Sequence, residues 1–210
     1  MFIDHVGYAT IGKFSYLNLI GRIAFPIFAF QATQGYIYTK NFKKHIIKLL
    51  IFGCISQIPF MLFLSTFNNQ FYLNIFFTII LGLLAIYCFD KIKNKILGFL
   101  IVLVISIIGY FAKVDYGFFG VFIIFLFYLF RNNKFIMALT CIPLCFIRYL
   151  PNIISYPFLL NRYLLCGLFT SISVLFILAY NNKQGPKSKY FFYIFYPLHL
   201  LILYLINMAL

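Results

Sequence analysis

The sequence predicts an all-α integral membrane protein, a bundle of about nine transmembrane helices with the first one truncated. The chain of 210 residues is 64% hydrophobic and only 10% charged, and its mean hydropathy is +1.00. A soluble fold of this size cannot bury so much apolar surface, so much of that surface must face lipid. Apolar runs of about 17 to 23 residues, the length that crosses ~30 Å of hydrocarbon, recur along nearly the whole chain.

The apolar runs place the predicted helices in order. They lie near residues 1–12, 16–38, 45–66, 71–89, 95–112, 115–130, 134–150, 162–180 and 190–208. The first is too short to span a bilayer unaided, so it is either re-entrant or the end of a helix that begins upstream of Met1, and we favour the second. No linker or repeat marks a boundary, which predicts one polytopic domain over residues 1–210.

The positive charges alternate between successive loops. Twelve of the lysines and arginines follow every second helix and four lie in the intervening loops. The richer set is Lys40, Lys43, Lys44, Lys48, Lys91, Lys93, Lys95, Arg131, Lys134, Lys183, Lys187 and Lys189; the poorer set is Lys13, Lys113, Arg148 and Arg162. The positive-inside rule therefore predicts that the richer loops are cytoplasmic, with the N-terminus inside and the C-terminus outside. The high content of Phe, Tyr, Ile, Asn and Lys is typical of an AT-rich bacterial genome, so the expected location is the bacterial cytoplasmic membrane.

The net charge of +14 is explained by these loops and does not indicate nucleic acid as a partner. The expected partners are membrane lipids. The five cysteines lie inside apolar runs, and Cys141 and Cys145 share a helix face without a neighbouring histidine or acid. We therefore expect no metal site and interpret the cysteines as small core residues.

A few polar residues within or next to apolar runs need a reason, because burying them in hydrocarbon costs free energy unless they are paired or hydrated. They are Asp4, His5, Arg22, Asn74, Asp115 and His199.

Structural explanations compete with functional ones for most of these residues. His199 could bond a carbonyl freed by Pro197, and Asn74 could link two helices. Arg22 could extend to the membrane surface, and Asp115 could cap a helix.

The pair Asp4-His5 is harder to explain structurally, since the neighbouring positions supply no cation for the carboxylate. Side chains of adjacent residues on an α-helix point about 100° apart, so the two do not form a self-contained dyad. Our hypothesis is that Asp4 pairs with Arg22 on another helix and that His5 faces a polar cavity.

Several segments carry a family resemblance: "IDHVGY", "IGRIAFPIFAFQATQGYIYTKN", "LLIFGCISQIPF", "LNIFFTIILGLLAI", "DYGFFGV" and "GPKSKYFFYIFYPLHLLILYLI". In this order they resemble the TraX family of bacterial membrane proteins over the whole chain. The resemblance implies an acetyltransferase, since the family's named member N-acetylates the amino terminus of a conjugative pilin subunit. It also implies distant similarity to membrane acyltransferases that use acyl-CoA. Family members carry further residues before the "IDH" motif that complete the first helix.

The resemblance and the polar residues together suggest a mechanism. Acetyl-CoA is the expected donor substrate, with no tightly bound cofactor. His5 is the candidate general base, and Arg22 is expected to hold Asp4 or the oxyanion. The acceptor is an amine or hydroxyl of a small molecule, a glycan or a pilin-like peptide.

Further residues are expected to orient the substrates. Asn74, Asp115 and His199 are candidates for this role, and the loop lysines Lys40, Lys43 and Lys44 are candidates for binding the phosphates of CoA. Membrane topology alone also explains those lysines.

Two other functions remain open on the sequence. The same buried polar residues could line the path of a transporter or lipid translocator. Alternatively, the chain could be a membrane assembly factor without chemistry.

Overall fold

A computed structural model describes residues 1–12, 14–67, 70–181, 183 and 191–209. This part of the chain contains eleven α-helices, one 3-10 turn and a single isolated bridge between Leu73 and Val114, but no strand. The helices are α1 (Phe2–Thr10), α2 (Tyr16–Gly21), α3 (Ala24–Tyr38), α4 (Phe42–Ser65), α5 (Ile75–Lys91), α6 (Lys95–Phe111), α7 (Gly117–Leu129), α8 (Lys134–Ile147), α9 (Leu150–Ser155), α10 (Leu160–Leu178) and α11 (Phe191–Ala209). The predicted all-α class is confirmed.

The predicted number of transmembrane helices is too high. Among the described residues, four helical segments are long and apolar enough to cross a membrane: Phe42–Ser65, Lys134–Ser155, Pro157–Leu178 and Phe191–Ala209. Helices α6 and α7 are apolar but shorter. An apolar run is therefore not the same as one continuous helix.

Backbone breaks explain part of this difference. The run 16–38 divides into α2 and α3 because the chain turns at Arg22 and Ile23. The run 115–130 yields a helix of only 13 residues, since Tyr116 adopts a left-handed φ of 67° that α-helical residues avoid.

The helices form two compact units, Met1–Phe28 with Asn133–Leu210 (unit 1) and Ala29–Asn132 (unit 2). Whether they act as the one polytopic domain predicted for residues 1–210 stays a prediction. In unit 2, α5, α6 and α7 all pack against one another. Helix α7 is the most buried of the three. Its side chains are apolar on every face, and Val121, Ile123, Ile124 and Phe125 are fully buried. An all-round apolar helix is the expected centre of a bundle.

Unit 1 is built from α1, α2 and α8 to α11. Helix α1 packs against α2 and α11, and α8 packs against α10. Leu19, Tyr149, Tyr163 and Cys166 form a buried cluster. Three cysteines are buried as predicted, Cys141, Cys145 and Cys166, whereas Cys54 is exposed on a helix surface.

The predicted orientation rests on charges that the structure describes only in part. Lys13, Lys187 and Lys189 lie outside the described residues, as does residue 190, where the last helix was expected to begin. Lys40 follows the end of α3, Lys43 and Lys44 lie in the first turn of α4, and all three are exposed.

Candidate active site

Helix α1 lies directly against α2 in unit 1, and two glycines allow the close approach. A Cβ atom at Gly21 would lie 2.3 Å from Asp4 Cβ, and one at Gly7 would lie 2.7 Å from Ser15 Oγ. Real Cβ atoms do not make such contacts. Glycine at these two positions therefore brings Asp4 against α2, where its side chain is 9% exposed.

Asp4 is held by an amide and a guanidinium. Asn18 Nδ2 donates to the Asp4 backbone oxygen at 2.7 Å and to Oδ1 at 3.1 Å. Arg22 Nη2 lies 3.7 Å from the same Oδ1. The predicted pairing of Asp4 with Arg22 is thus present in the structure, with Asn18 as a second, closer partner.

Arg22 follows α2 at the turn before α3 and bridges two residues of α1. Its Nη2 group also donates to the Tyr8 hydroxyl at 2.7 Å, and its side chain is 16% exposed. The guanidinium is therefore directed at α1 rather than extended to the surface. A hydrogen bond to a charged donor in a nearly dry setting is stronger than a neutral one, so this cluster fixes α1 on α2.

His5 meets His199 of α11. The His5 Nδ1 and His199 Nε2 atoms are 2.8 Å apart. The ring centroids are 5.1 Å apart and the ring planes differ by 13°. The N···N distance and the distances from each nitrogen to its own ring centroid together make up this centroid separation. The two nitrogens therefore lie close to the line that joins the centroids. The rings are therefore edge to edge and nearly coplanar, which is the geometry of a hydrogen bond along the nitrogen lone pair.

The second nitrogen of His199 decides where the protons lie. His199 Nδ1 is 2.7 Å from the Phe195 carbonyl oxygen, which can only accept, so Nδ1 carries the proton. In the neutral ring, Nε2 is then an acceptor and His5 Nδ1 must donate to it. His5 is left with Nε2 as its basic nitrogen.

Aromatic side chains surround the imidazole of His199. The Phe195 ring stacks on His199 with centroids 5.0 Å apart, and Phe2 and Tyr196 contact it at 6.0 and 5.6 Å. His199 is 3% exposed, whereas His5 is half-buried. Apolar surroundings favour the neutral form of an imidazole, which is the form that accepts a proton.

Asn74 and Asp115 both lie in unit 2. Asn74 is fully buried and begins α5, where its Oδ1 accepts from Phe76 N at 3.0 Å. Its Nδ2 donates to Gly53 O and to Gln57 Oε1 at 2.7 and 2.9 Å, so it joins α5 to α4.

Asp115 is not the N-cap residue of the helix that follows it. The N-cap of α7 is Tyr116, which makes no side-chain capping bond. The Asp115 N–H donates to Leu73 O at 2.7 Å, and Thr78 Oγ1 donates to the Asp115 carbonyl oxygen. The orienting roles of Asn74 and Asp115 stay predictions.

Comparisons with known proteins identify the family. A family profile described as TraX protein matches residues 1–207. This chain belongs to the TraX family. The resemblance inferred from the sequence segments is confirmed.

Two relatives of this TraX protein are informative. A probable fimbrial assembly protein FimC, serogroup H1, from Dichelobacter nodosus is 26% identical over 224 residues, covering 97% of this chain and 89% of the relative. The uncharacterised protein RP591 from Rickettsia prowazekii (strain Madrid E) is 31% identical over 145 residues, covering 67% of this chain and 55% of the relative. No solved structure gives a significant match.

Three residues of this TraX site were missed by the sequence analysis: Ser15, Asn18 and Tyr8. Ser15 and Asn18 form a capping box at the start of α2, and the serine followed three residues later by a polar amide is its sequence signal. Tyr8 gives no such signal, because tyrosine is frequent along this chain.

Within the described ranges, no group of three or more His, Cys or Asp side chains is arranged to hold a metal ion.

Proposed function

We propose that this TraX protein is an integral membrane acyltransferase that moves an acetyl group from acetyl-CoA to an amine or hydroxyl acceptor, with His5 as the general base. The observation that carries the proposal is the hydrogen-bond chain from His5 through His199 to the Phe195 carbonyl. That chain assigns the basic nitrogen of His5 to Nε2. A base held in one tautomer is prepared to accept a proton from an incoming nucleophile.

The proposed reaction proceeds in two proton transfers. His5 Nε2 takes the proton of the acceptor N–H or O–H while the nucleophile attacks the thioester carbonyl carbon. The tetrahedral oxyanion then collapses, the C–S bond breaks, and the imidazolium returns its proton to the departing thiolate as free CoA. His199 accepts the His5 Nδ1–H bond throughout and supports the positive charge that forms on His5.

Asp4 and Arg22 have a supporting role in this proposal. The carboxylate is contacted by Asn18 and Arg22, so α1 presents His5 from a fixed position. The guanidinium supplies positive charge in a nearly dry setting, where it stabilises developing negative charge more strongly than in water.

The proposed acceptor is the amino terminus of a fimbrial or pilin-like subunit. Support comes from the name of the Dichelobacter nodosus relative, a probable fimbrial assembly protein. The donor would enter from the cytoplasmic side of the bacterial inner membrane, where the exposed Lys40, Lys43 and Lys44 would attract the phosphates of CoA.

The test is the release of CoA by purified full-length protein supplied with acetyl-CoA and a peptide amine. His5→Gln is expected to lower the rate by roughly 10²–10⁴-fold, the contribution of general-base catalysis. His45→Gln is the matched control, because His45 is the third histidine of the chain and has no part in the proposed proton transfers. Equal rates in wild type and His5→Gln would remove His5 from the mechanism.

A second candidate function is fimbrial assembly without acyl transfer, which the same relative's name favours. Under that function the wild-type protein would release no CoA but would still bind a fimbrial subunit. The CoA assay and a subunit pull-down therefore separate the two functions.

A further inference from the structure

Unit 2 contains an open cavity of about 460 Å³ where the ends of α3, α5 and α7 meet the start of α4. Aromatic side chains supply much of its wall, and its charged residues are Asp90, Lys91 and Arg131. The volume lies in the range of small-molecule sites. The catalytic proposal does not use this cavity.

Two tyrosine hydroxyls hold the Asp90 carboxylate. Tyr36 Oη donates to Oδ2 at 2.8 Å, and Tyr128 Oη donates to Oδ1 at 2.5 Å. Each carboxylate oxygen has two acceptor positions, so each retains one beyond its tyrosine bond. Asp90 itself is exposed, and these positions are therefore accessible to an N–H donor.

Neither cation of the cavity forms an ion pair with Asp90. Arg131 Nη1 donates to Tyr128 O at 2.8 Å, and its guanidinium lies 4.1 Å from the centroid of the Tyr128 ring. Lys91 Nζ lies 5.6 Å from the centroid of the Tyr87 ring. No cation of the described chain forms an ion pair with Asp90 within 4.0 Å. The cavity thus presents separate negative and positive positions.

The aromatic wall suits a cationic ligand. Tyr36 and Tyr128 meet at 89° with centroids 5.5 Å apart, and Phe42 and Tyr87 stack with centroids 4.7 Å apart. Ring faces attract ammonium groups, and a carboxylate among several rings strengthens that attraction.

The cavity also has a defined position relative to a membrane-spanning helix. Phe42 is the first residue of α4, the longest of the four described segments that can cross a membrane. The start of such a helix lies at the level of lipid head groups, where tyrosines and lysines are enriched. A phospholipid head group is therefore the ligand that this position makes available.

We propose that this cavity binds the head group of a phospholipid that carries a primary ammonium group. The ammonium lies against Asp90, Tyr36 and Tyr128, and the phosphate lies against Lys91 and Arg131. A primary ammonium can donate N–H bonds to the two remaining carboxylate positions, whereas a quaternary ammonium cannot. A head group with only negative charge would be repelled by Asp90.

The test is a lipid-retention experiment on the full-length protein in detergent. The protein is incubated with equal amounts of phosphatidylethanolamine, phosphatidylcholine and phosphatidylglycerol, and the retained lipids are counted by native mass spectrometry. Phosphatidylethanolamine is expected to be retained roughly tenfold over phosphatidylglycerol, the selectivity that one charged hydrogen-bonded contact provides. Asp90→Asn is expected to abolish that preference and Tyr36→Phe to reduce it.

Asp115→Asn is the matched control, since Asp115 is the other acid of unit 2 and does not line the cavity. An unchanged melting temperature of each variant shows that it is folded. Equal retention of the three lipids, or an unchanged preference in folded Asp90→Asn, overturns the proposal.

Soluble phosphoethanolamine and CoA serve as competitors. Full displacement of the lipid by either one would overturn the lipid assignment, because it would show that the ligand of the cavity is a soluble molecule. Because the readout is lipid retention, failure of this site leaves the acyltransferase proposal untouched.

Discussion

His5 and His199 stand 194 positions apart in the sequence, yet their Nδ1 and Nε2 atoms approach to 2.8 Å. The contact joins α1 to α11, and Asn207 Nδ2 adds a second tie by donating to Ala9 O at 3.1 Å. The first and last helices of the described chain thus form one site. Phe195 completes it by fixing the proton on His199 Nδ1.

His199→Phe tests the tautomer of His5. The ring volume is retained, but the acceptor for His5 Nδ1–H is lost, and a neutral imidazole without that partner favours the Nε2–H form. We expect acyl transfer to fall by about 10²-fold or more because the base then presents the wrong nitrogen.

The measurement is ¹⁵N NMR of histidine-labelled protein, in which only three histidines contribute and His45 serves as the internal reference. The wild-type His5 signals should report Nδ1–H, and those of the variant Nε2–H. A wild-type spectrum that already shows Nε2–H on His5 would contradict the assignment.

Asp4→Ala tests the ion pair with Arg22. The substitution leaves a guanidinium facing α1 without its carboxylate and removes an acceptor of Asn18. We expect the free energy of unfolding to fall by about 3 kcal/mol, as for other buried pairs that lose one partner. The measurement is a denaturation titration in mixed micelles. Asp90→Asn, at an exposed carboxylate, should change stability far less, and equal effects of the two variants would argue against a stabilising pair.

Gly21→Ala tests the close approach of α1 and α2. The added methyl group would lie 2.3 Å from Asp4 Cβ and 2.7 Å from Asp4 Cα, so the helices must separate. We expect loss of both stability and CoA release. Gly35→Ala is the control, because its new Cβ would lie 3.6 Å from His45 Nε2, an ordinary contact. Full activity in Gly21→Ala would show that the spacing of α1 and α2 does not limit the reaction.

Asn74→Ala separates a structural role from the predicted orienting role. It removes the cap of α5 and the bonds to Gly53 O and Gln57 Oε1. We expect a loss of about 2–3 kcal/mol in unfolding free energy, since a buried cap and its partners are left unsatisfied. Acetyl-CoA turnover is then measured on the folded fraction only. A KM and kcat like those of wild type would remove Asn74 from the substrate-orienting residues.

Some of the candidate site could be inferred from the sequence. A carboxylate in an apolar segment needs a cationic partner, and Arg22 is the cation within the next apolar run of the sequence. The bond from His199 to a backbone carbonyl was also anticipated. The acceptor differs, because the carbonyl released by Pro197 belongs to Tyr193, whereas His199 contacts Phe195.

The cluster around Asp90 was not anticipated. In the sequence, Asp90 is interpreted only as an acid at the membrane interface beside the loop lysines. Tyr36 and Tyr128 are two of 17 tyrosines. Their meeting depends on how α3, α5 and α7 end next to one another. Nothing in the local sequence of any one helix encodes that arrangement.

The sequence by itself determined the apolar, helical class of this protein and its membership of the TraX family. Composition decides how much of the protein surface must avoid water. The order of the family segments along the chain is the same however the chain packs. Only the tertiary structure decided that four described segments are long enough to span a membrane, that His5 meets His199, and that two tyrosines hold Asp90. Those outcomes depend on backbone breaks, on glycine-permitted helix approach and on contacts between residues far apart in sequence, which a linear pattern does not encode.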